Sequence, residues 1–365
     1  MTVRFVDRIW HGERAIDRVG RTALAPLSWM YAGASAARNA LYDRGVLRAH
    51  QPEVPALSLG NLSVGGTGKT PIAAWVASEL VARGAHPAVV LRGYGNDEPL
   101  VHERLNPGVA VVADADRLRG ARTARARGAD CVVLDDAFQH RRIARVADWV
   151  LVSAEQWRRG DALLPAGPLR EPVHALRRAT VVVVTRKTAT LDHANALAEL
   201  LSREVPGGAL AVVRLAPVAL VRVGATGGMP IVEVAGRRLV AVAAIGTPAS
   251  FFAQMRAVGA EILPLAFHDH HQFVDADVRR IVRLADGCDG IVCTLKDAVK
   301  LEPLWRGVDA PLWYVSQVAA VERGGATLAA SFAAVLAARA PTLLIAGSAG
   351  PSVPTHGHRS PSADR

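Results

Sequence analysis

The sequence predicts an α/β fold, a mostly parallel sheet covered by helices on both faces. Two observations carry this expectation. From residue 54 onward, short apolar runs such as PALSLG, HPAVVL, CVVL, DWVLVS and ATVVVV alternate with helical segments, and such continuous apolar runs suit strands buried on both faces. The first run leads into a glycine-rich turn, SVGGTGKTP (Ser63–Pro71), that opens a helix. With 365 residues, 50% of them hydrophobic, the chain is long enough for two ordinary domains with their own cores.

Residues 22–42, TALAPLSWMYAGASAARNALY, read as a helix with basic residues on both flanks. Leu24, Leu27, Tyr31 and Ala34 recur at three- and four-residue spacing beside Trp29 and Met30. Such a helix either packs into a core or lies in a membrane interface with its arginines toward lipid phosphates. Strand VPALSLG then precedes the glycine turn, and PIAAWVASELVARG follows it as a helix ended by Gly84. HPAVVLRGYG is a buried strand and turn. VAVVADADR, CVVLDD, DWVLVS and ATVVVVTRK are further strands, with an arginine-rich helix from Arg117 to Arg127 after the first. Residues 214–236, with Pro217 and four glycines, are expected to form a hairpin-like linker. RRLVAVAAIGTP starts a smaller α/β unit: a helix from Ala249 to Val258, strand AEILPLAF, another helix, strand GIVCTLKD and a last helix ending near Ala340. The Ser/Pro/Gly-rich tail 341–365 is expected to be disordered.

Composition excludes several classes. Cys131, Cys288 and Cys293 are too few and too scattered for a disulfide framework or a zinc site, which suggests a reducing, cytosolic compartment. No run approaches the roughly 18 apolar residues of a membrane span, and MTVRFVDRIWHGER lacks the apolar core of a signal peptide. The formal charge of +10 favours an anionic partner.

The glycine turn carries the clearest chemistry. After a buried strand and at a helix start, backbone N–H groups and the helix dipole bind phosphate, and glycine lets the backbone approach closely. Lys69 is placed to reach the β- and γ-phosphates and Thr70 to coordinate Mg²⁺. The strict pattern G-x-x-x-x-G-K-[ST] fails at one point, because Ser63 stands where the first glycine is expected. Roughly 65 residues downstream, Asp135 and Asp136 end an apolar strand, where such proteins hold Mg²⁺. A GTPase base-reading motif is missing, since Thr294-Leu295-Lys296-Asp297 has its lysine in the wrong place. The extra lysine of partitioning-type ATPases is Val64 here.

These motifs, taken in order, closely resemble the tetraacyldisaccharide 4′-kinases, the lipid A 4′-kinases of Gram-negative bacteria. The matching runs are Ser63–Pro71, Arg92–Gly95 (RGYG), Asp97–Pro99 (DEP), Asp135–His140 (DDAFQH), Leu164–Pro172 (LPAGPLREP), Ile245–Phe252 (IGTPASFF), Asp269–Phe273 (DHHQF) and Thr294–Leu301 (TLKDAVKL). The resemblance runs from about residue 9 to 301 and departs in three places. Only Asn96 separates RGYG from DEP, where the family has a longer loop ending in glycine. Val146 replaces a common aspartate, and beyond about residue 301 the chain diverges.

The resemblance implies ATP-dependent phosphorylation of the 4′-hydroxyl of the lipid A disaccharide 1-phosphate, by a monomer at the cytoplasmic face of the inner membrane with no nucleic-acid partner. It implies a P-loop domain over 1–213, including a membrane-interacting helix at 22–42, then the 214–236 linker. A smaller α/β domain follows over 237–340, its last helix returning to the first. Asp97 is the expected base, assisted by His270 with Asp269 beside it; Lys69 and Arg170 neutralise charge. Ser63, Val64, Gly65, Gly66, Thr67, Gly68, Lys69, Thr70 and Gln139 are expected at ATP, and Thr70, Asp135 and Asp136 at Mg²⁺. Arg92, Tyr94 and Glu171 are expected on the substrate side. A metal reading of His268, His270 and His271 is set aside for want of a spaced carboxylate pair or cysteine. Lys296 and Asp297 receive no role. Two rival readings stay open: a related kinase with another glycolipid acceptor, and a non-catalytic membrane-associated ATPase switch, which needs neither base nor acceptor cleft.

Overall fold

The computed structural model describes residues 8–12, 14–93, 97–224 and 227–339; Tyr94 and the 341–365 tail lie outside them. Its strands are β1 (Ala56–Asn61), β2 (Pro87–Leu91), β3 (Ala110–Ala113), β4 (Cys131–Leu134), β5 (Ala147–Ser153), β6 (Val181–Arg186), β7 (Leu210–Arg222), β8 (Gly228–Pro230), β9 (Arg238–Ala243), β10 (Glu261–Ala266), β11 (Gly290–Cys293) and β12 (Leu312–Arg323). The helices are α1 (Ala15–Asp43), α2 (Lys69–Ala82), α3 (Asp97–Leu105), α4 (Arg117–Ala126), α5 (Leu191–Ser202), α6 (Pro248–Ala257), α7 (Asp275–Leu284), α8 (Leu295–Leu301) and α9 (Gly325–Ala337).

All the strands share one sheet of order β10-β9-β11-β12-β7-β6-β5-β1-β4-β2-β3, with β8 beside β7. The pairings on either side of β7 and β12 are parallel, and β7–β12 and β7–β8 are antiparallel. β7 and β12, 13 and 12 residues long, form a ribbon that joins two parallel halves into one surface. Within 214–236, where a hairpin-like linker is expected, β7 and β8 share three antiparallel residue pairs. The long partner of β7, however, is β12, about a hundred residues later and without any local turn signal to announce it. Loop residues at the carboxyl ends of these parallel strands meet between the halves, where ligands of open α/β sheets bind.

Strands β1, β2, β4, β5 and β6 are buried almost throughout, as their continuous apolar runs require. The largest fully buried side chain, Trp149 of β5, packs edge-on against Phe332 of α9 with ring centroids 5.4 Å apart. Helix α9 therefore closes the core of the N-terminal half although it follows the C-terminal half in sequence.

Helix α1 starts earlier than its apolar run, at Ala15, and continues through Pro26. Its facing is inverted relative to an ordinary surface helix. The buried side chains are Asp17 and Ser28, whereas Ile16, Val19, Trp29 and Met30 are each about two-thirds exposed or more. Polar contacts hold the inner face. Ser28 Oγ donates to Leu163 O (3.0 Å) and accepts from Ala166 N (2.9 Å), Tyr31 OH donates to Arg170 O (2.9 Å), and Asn39 Nδ2 donates to Glu171 Oε2 (2.9 Å).

Candidate active site

The loop between β1 and α2 is braced from three directions. Asn61 Nδ2 donates to Ser63 O (2.6 Å), Thr185 Oγ1 of β6 donates to Thr67 O (2.8 Å), and Val64 N donates to Pro168 O (2.9 Å). Gly68 caps α2 with φ 83°, a conformation that demands glycine, and a Cβ there would also lie 2.4 Å from Leu215 Cδ1 and force that side chain to shift. Ser63 needs no such freedom. Its backbone bridges Leu169, and among the described residues the only non-glycine positions of positive φ are Asp136 (50°) and His270 (55°).

Lys69, the first residue of α2, lies with Nζ 3.7 Å from Asp136 Oδ1, and Arg170 Nη1 donates to both oxygens of Asp136 at 3.0 Å. Burial lowers the Lys69 pKa, with Asp136 pulling the other way. Asp135 is buried and accepts from His102 Nε2 (3.0 Å) at Oδ2, while Oδ1 has no partner. Burial opposes its ionisation, but the hydrogen bond and charge of His102, with Lys69 and Lys296 nearby, hold its pKa below the ordinary carboxylate value. Arg117, at the start of α4, donates to Asp114 O (2.8 Å) and Asp135 O (3.2 Å). No sequence pattern pointed to His102, because its partner lies 33 residues away. His102→Ala strands an acceptor in the interior, and such groups cost about 1–3 kcal/mol. The unfolding midpoint of that variant should fall and should recover in part in His102→Gln. An unchanged midpoint in His102→Ala would show that the contact carries no weight.

Asp97 begins α3, where its charge complements the helix dipole. It is 4% exposed, and its Oδ1 has no hydrogen-bond partner, while Oδ2 faces His270 Nδ1 at 3.6 Å. His270 belongs to the C-terminal half, so this pair spans the two halves. Asp269 accepts from His270 N (3.0 Å). Gly246 separates Asp269 from the glycine loop: a Cβ there would lie 3.3 Å from Asp269 Oδ2 and 3.9 Å from Gly65 Cα. Glu98 approaches Lys296 Nζ (3.5 Å), and Arg104 pairs with Glu302 (2.5 Å), so α3 is tied to the C-terminal half along its length. Burial, the Asp135 charge and the Asp97 charge raise the Glu98 pKa against the pull of Lys296. Asp297 serves the frame: it is fully buried and accepts from Ala244 N (3.1 Å) and Thr294 Oγ1 (2.7 Å).

Beside Asp136 opens a cavity of about 550 Å³ lined by Arg38, Arg92, Arg117, Arg170, Gln139 and His140. Four guanidinium groups against the single Asp136 carboxylate leave the lining net positive, a setting that attracts anions. Burial, Arg117 and Arg145 push the His140 pKa down to about 4, so its imidazole is neutral at pH 7. Gln139, expected at the nucleotide, lines this cavity and donates Nε2 to Asn61 O (2.9 Å), directly behind the glycine loop. Glu171, expected on the substrate side, is placed otherwise. It is 3% exposed, with both oxygens taken by Arg178 (2.8 and 3.0 Å) and a further contact from Asn39, so it anchors α1. That segment is buried beneath α1, which a linear motif does not reveal.

A braced glycine loop between a buried strand and a helix, with Lys69 at the helix start beside the acid that follows the neighbouring parallel strand, defines a P-loop protein. The chain belongs to the tetraacyldisaccharide-1-P 4′-kinase (LpxK) family, whose model matches residues 20–97 and 96–337. The two matched stretches meet at Asn96 and Asp97. The tetraacyldisaccharide 4′-kinase of Anaeromyxobacter sp. (strain K) is 39% identical over 91% of this chain and 96% of its own length. That of Geobacter metallireducens is 37% identical over 79% of this chain and 91% of its own. The crystal structure of LpxK from Aquifex aeolicus in complex with ATP aligns with TM-score 0.67 and 25% identity, covering 86% of this chain and 99% of that one.

Proposed function

We propose that the chain transfers the γ-phosphate of ATP to the 4′-hydroxyl of a tetraacyldisaccharide 1-phosphate, the lipid A precursor. The observation that carries this reading is Asp97: a buried carboxylate with an unpartnered oxygen, opposed by His270 and set on the helix whose His102 holds Asp135. A switch that only hydrolyses ATP requires no such base. Asp97 accepts the proton of the attacking hydroxyl, and His270 orients the carboxylate and shares that proton. Glycines 65, 66 and 68 hold the phosphates through backbone N–H groups, while Lys69 and Arg170 neutralise charge on the transferring group. The arginine-lined cavity receives the anionic headgroup and so favours an acceptor that already carries phosphate.

Mg²⁺ fits the residues present. Asp135 offers a buried, unpartnered oxygen, Thr70 lies in the first turn of α2, and among the described residues no group of three His, Cys, Asp or Glu could hold a metal unaided. That donor set suits an ion completed by phosphate oxygens and water. Held by Thr70 and Asp135, Mg²⁺ would neutralise negative charge on the phosphates.

The exposed apolar face of α1 gives the chain its route to a lipid acceptor. No helix among the described residues is long and apolar enough to cross a membrane. Ile16 and Val19, and again Leu27 and Met30, lie three residues apart and exposed, whereas Asp17 and Ser28 are buried, which supports placing α1 in the cytoplasmic interface of the inner membrane. Replacing Val19, Trp29 and Met30 together by glutamate should weaken cosedimentation with anionic vesicles at least tenfold without changing the circular dichroism. Each large apolar side chain kept from the lipid forfeits about 1.5–3 kcal/mol. Unchanged cosedimentation would contradict this placement.

The acceptor is tested by incubating the protein with γ-labelled ATP and tetraacyldisaccharide 1-phosphate. The label should move into the lipid fraction; ATP hydrolysis with an unlabelled lipid would overturn the reading.

A further inference from the structure

His270 reaches Asp97 from an unusual backbone. Its φ of 55° lies in the left-handed region, uncommon outside glycine although histidine enters it more readily than most residues, and such a backbone is held by surrounding contacts. Its own side chain supplies little of that constraint, being 43% exposed with its nearest carboxylates at 3.6 and 4.0 Å. The neighbouring His271 supplies far more. Its Nε2 donates to Asp277 Oδ2 at 2.8 Å, and its Nδ1 lies 3.1 Å from His268 Nδ1. The ring stacks on Phe267 (4.7 Å between centroids, planes 24° apart) and meets the edge of Phe273 at 5.1 Å. Its carbonyl accepts from Lys300 Nζ at 3.3 Å. Asp277 is held in turn, because its Oδ2 also accepts from Val274 N (3.1 Å) at the start of α7. With Nε2 directed at Asp277, the other ring nitrogen of His271 is left to meet His268.

We infer that Asp277 and His271 are positioning residues, which fix the 267–273 loop on the N-terminus of α7 so that His270 is presented to Asp97. The inference rests on the reading of Asp97 and His270 as the proton-accepting pair. Neither Asp277 nor His271 touches the reacting atoms; both act through the backbone of the loop. Partners that orient metal-ligating side chains typically alter activity about 10–100-fold, and a loss of that order is expected for residues that orient His270.

The test is a double-mutant cycle measured with the full chain, MgATP and tetraacyldisaccharide 1-phosphate. His271→Phe keeps the stacking and leaves the Asp277 cap on α7 intact; Asp277→Ala removes the cap and the ring contact; Asp277→Asn retains an acceptor for both. In the otherwise unaltered protein, His271→Phe and Asp277→Ala should lower kcat by about 10–100-fold with KM for ATP changed less than about twofold. Asp277→Asn should retain most of the activity. In a His270→Ala background, the further loss from His271→Phe or Asp277→Ala should vanish, because the residue through which they act is gone. An undiminished loss in that background, or an unchanged kcat in the single variants, would overturn the inference while leaving the proton-accepting pair in place. A His270→Ala variant of full activity would instead refute the pair, and with it the inference.

Discussion

Lys69→Ala should lower the turnover of phosphoryl transfer by about 10²–10³-fold, the loss associated with removing one preorganised charge-stabilising group. Unlike a base variant, it should also weaken ATP binding, because the ammonium meets the phosphates in the ground state as well as in the transition state. Lys69 is the first residue of α2, at the helix end where phosphate binds, and lies 3.7 Å from Asp136 Oδ1. Arg170, the other cation at Asp136, is held 3.0 Å from that carboxylate and tied through its backbone N–H to Leu62 O. Steady-state kinetics with nucleotide titration would check this. A variant that binds ATP less tightly yet turns over at the original rate would show that Lys69 anchors the nucleotide without acting on the transfer.

Asp97→Ala should produce the opposite pattern. A general base contributes about 10²–10⁴-fold to rate, so kcat should fall by that factor with little change in KM for ATP. Its effect on stability should also set it apart from a structural residue. Asp97 is 4% exposed, and its Oδ1 makes no hydrogen bond. Such a group is retained against the preference of the fold, since an unsatisfied buried polar atom costs about 1–3 kcal/mol. The alanine variant should therefore keep or raise its unfolding midpoint while losing activity. Losses of activity and midpoint in parallel would mean that Asp97 holds the fold together.

Much of the N-terminal half was legible because its signals are local. Buried parallel strands announce themselves as apolar runs, and the glycine loop, Lys69 and the paired acids stand at those runs' ends. Helix α3 went unread although Asp97 and Glu98 in its first turn, followed by Pro99, suit a helix start; nine residues offer little periodicity. Strand β12 escaped because alternate residues are half-exposed and its long partner, β7, is remote in sequence. At the site, the motif residues were legible, whereas His102 and the pairings were not. His102 and Asp135, Glu98 and Lys296, and Glu171 and Arg178 meet only once the chain is folded. The apolar run of α1 fitted a core helix or an interfacial one, and its exposed face supports the second.

The central claim, phosphorylation of the 4′-hydroxyl, is tested most directly by ³¹P nuclear magnetic resonance of the lipid product formed from MgATP and tetraacyldisaccharide 1-phosphate. The account predicts a second phosphomonoester coupled to the proton on C4′, with the original 1-phosphate unchanged. A diphosphate at the 1-position, or a monoester on another hydroxyl, would contradict it.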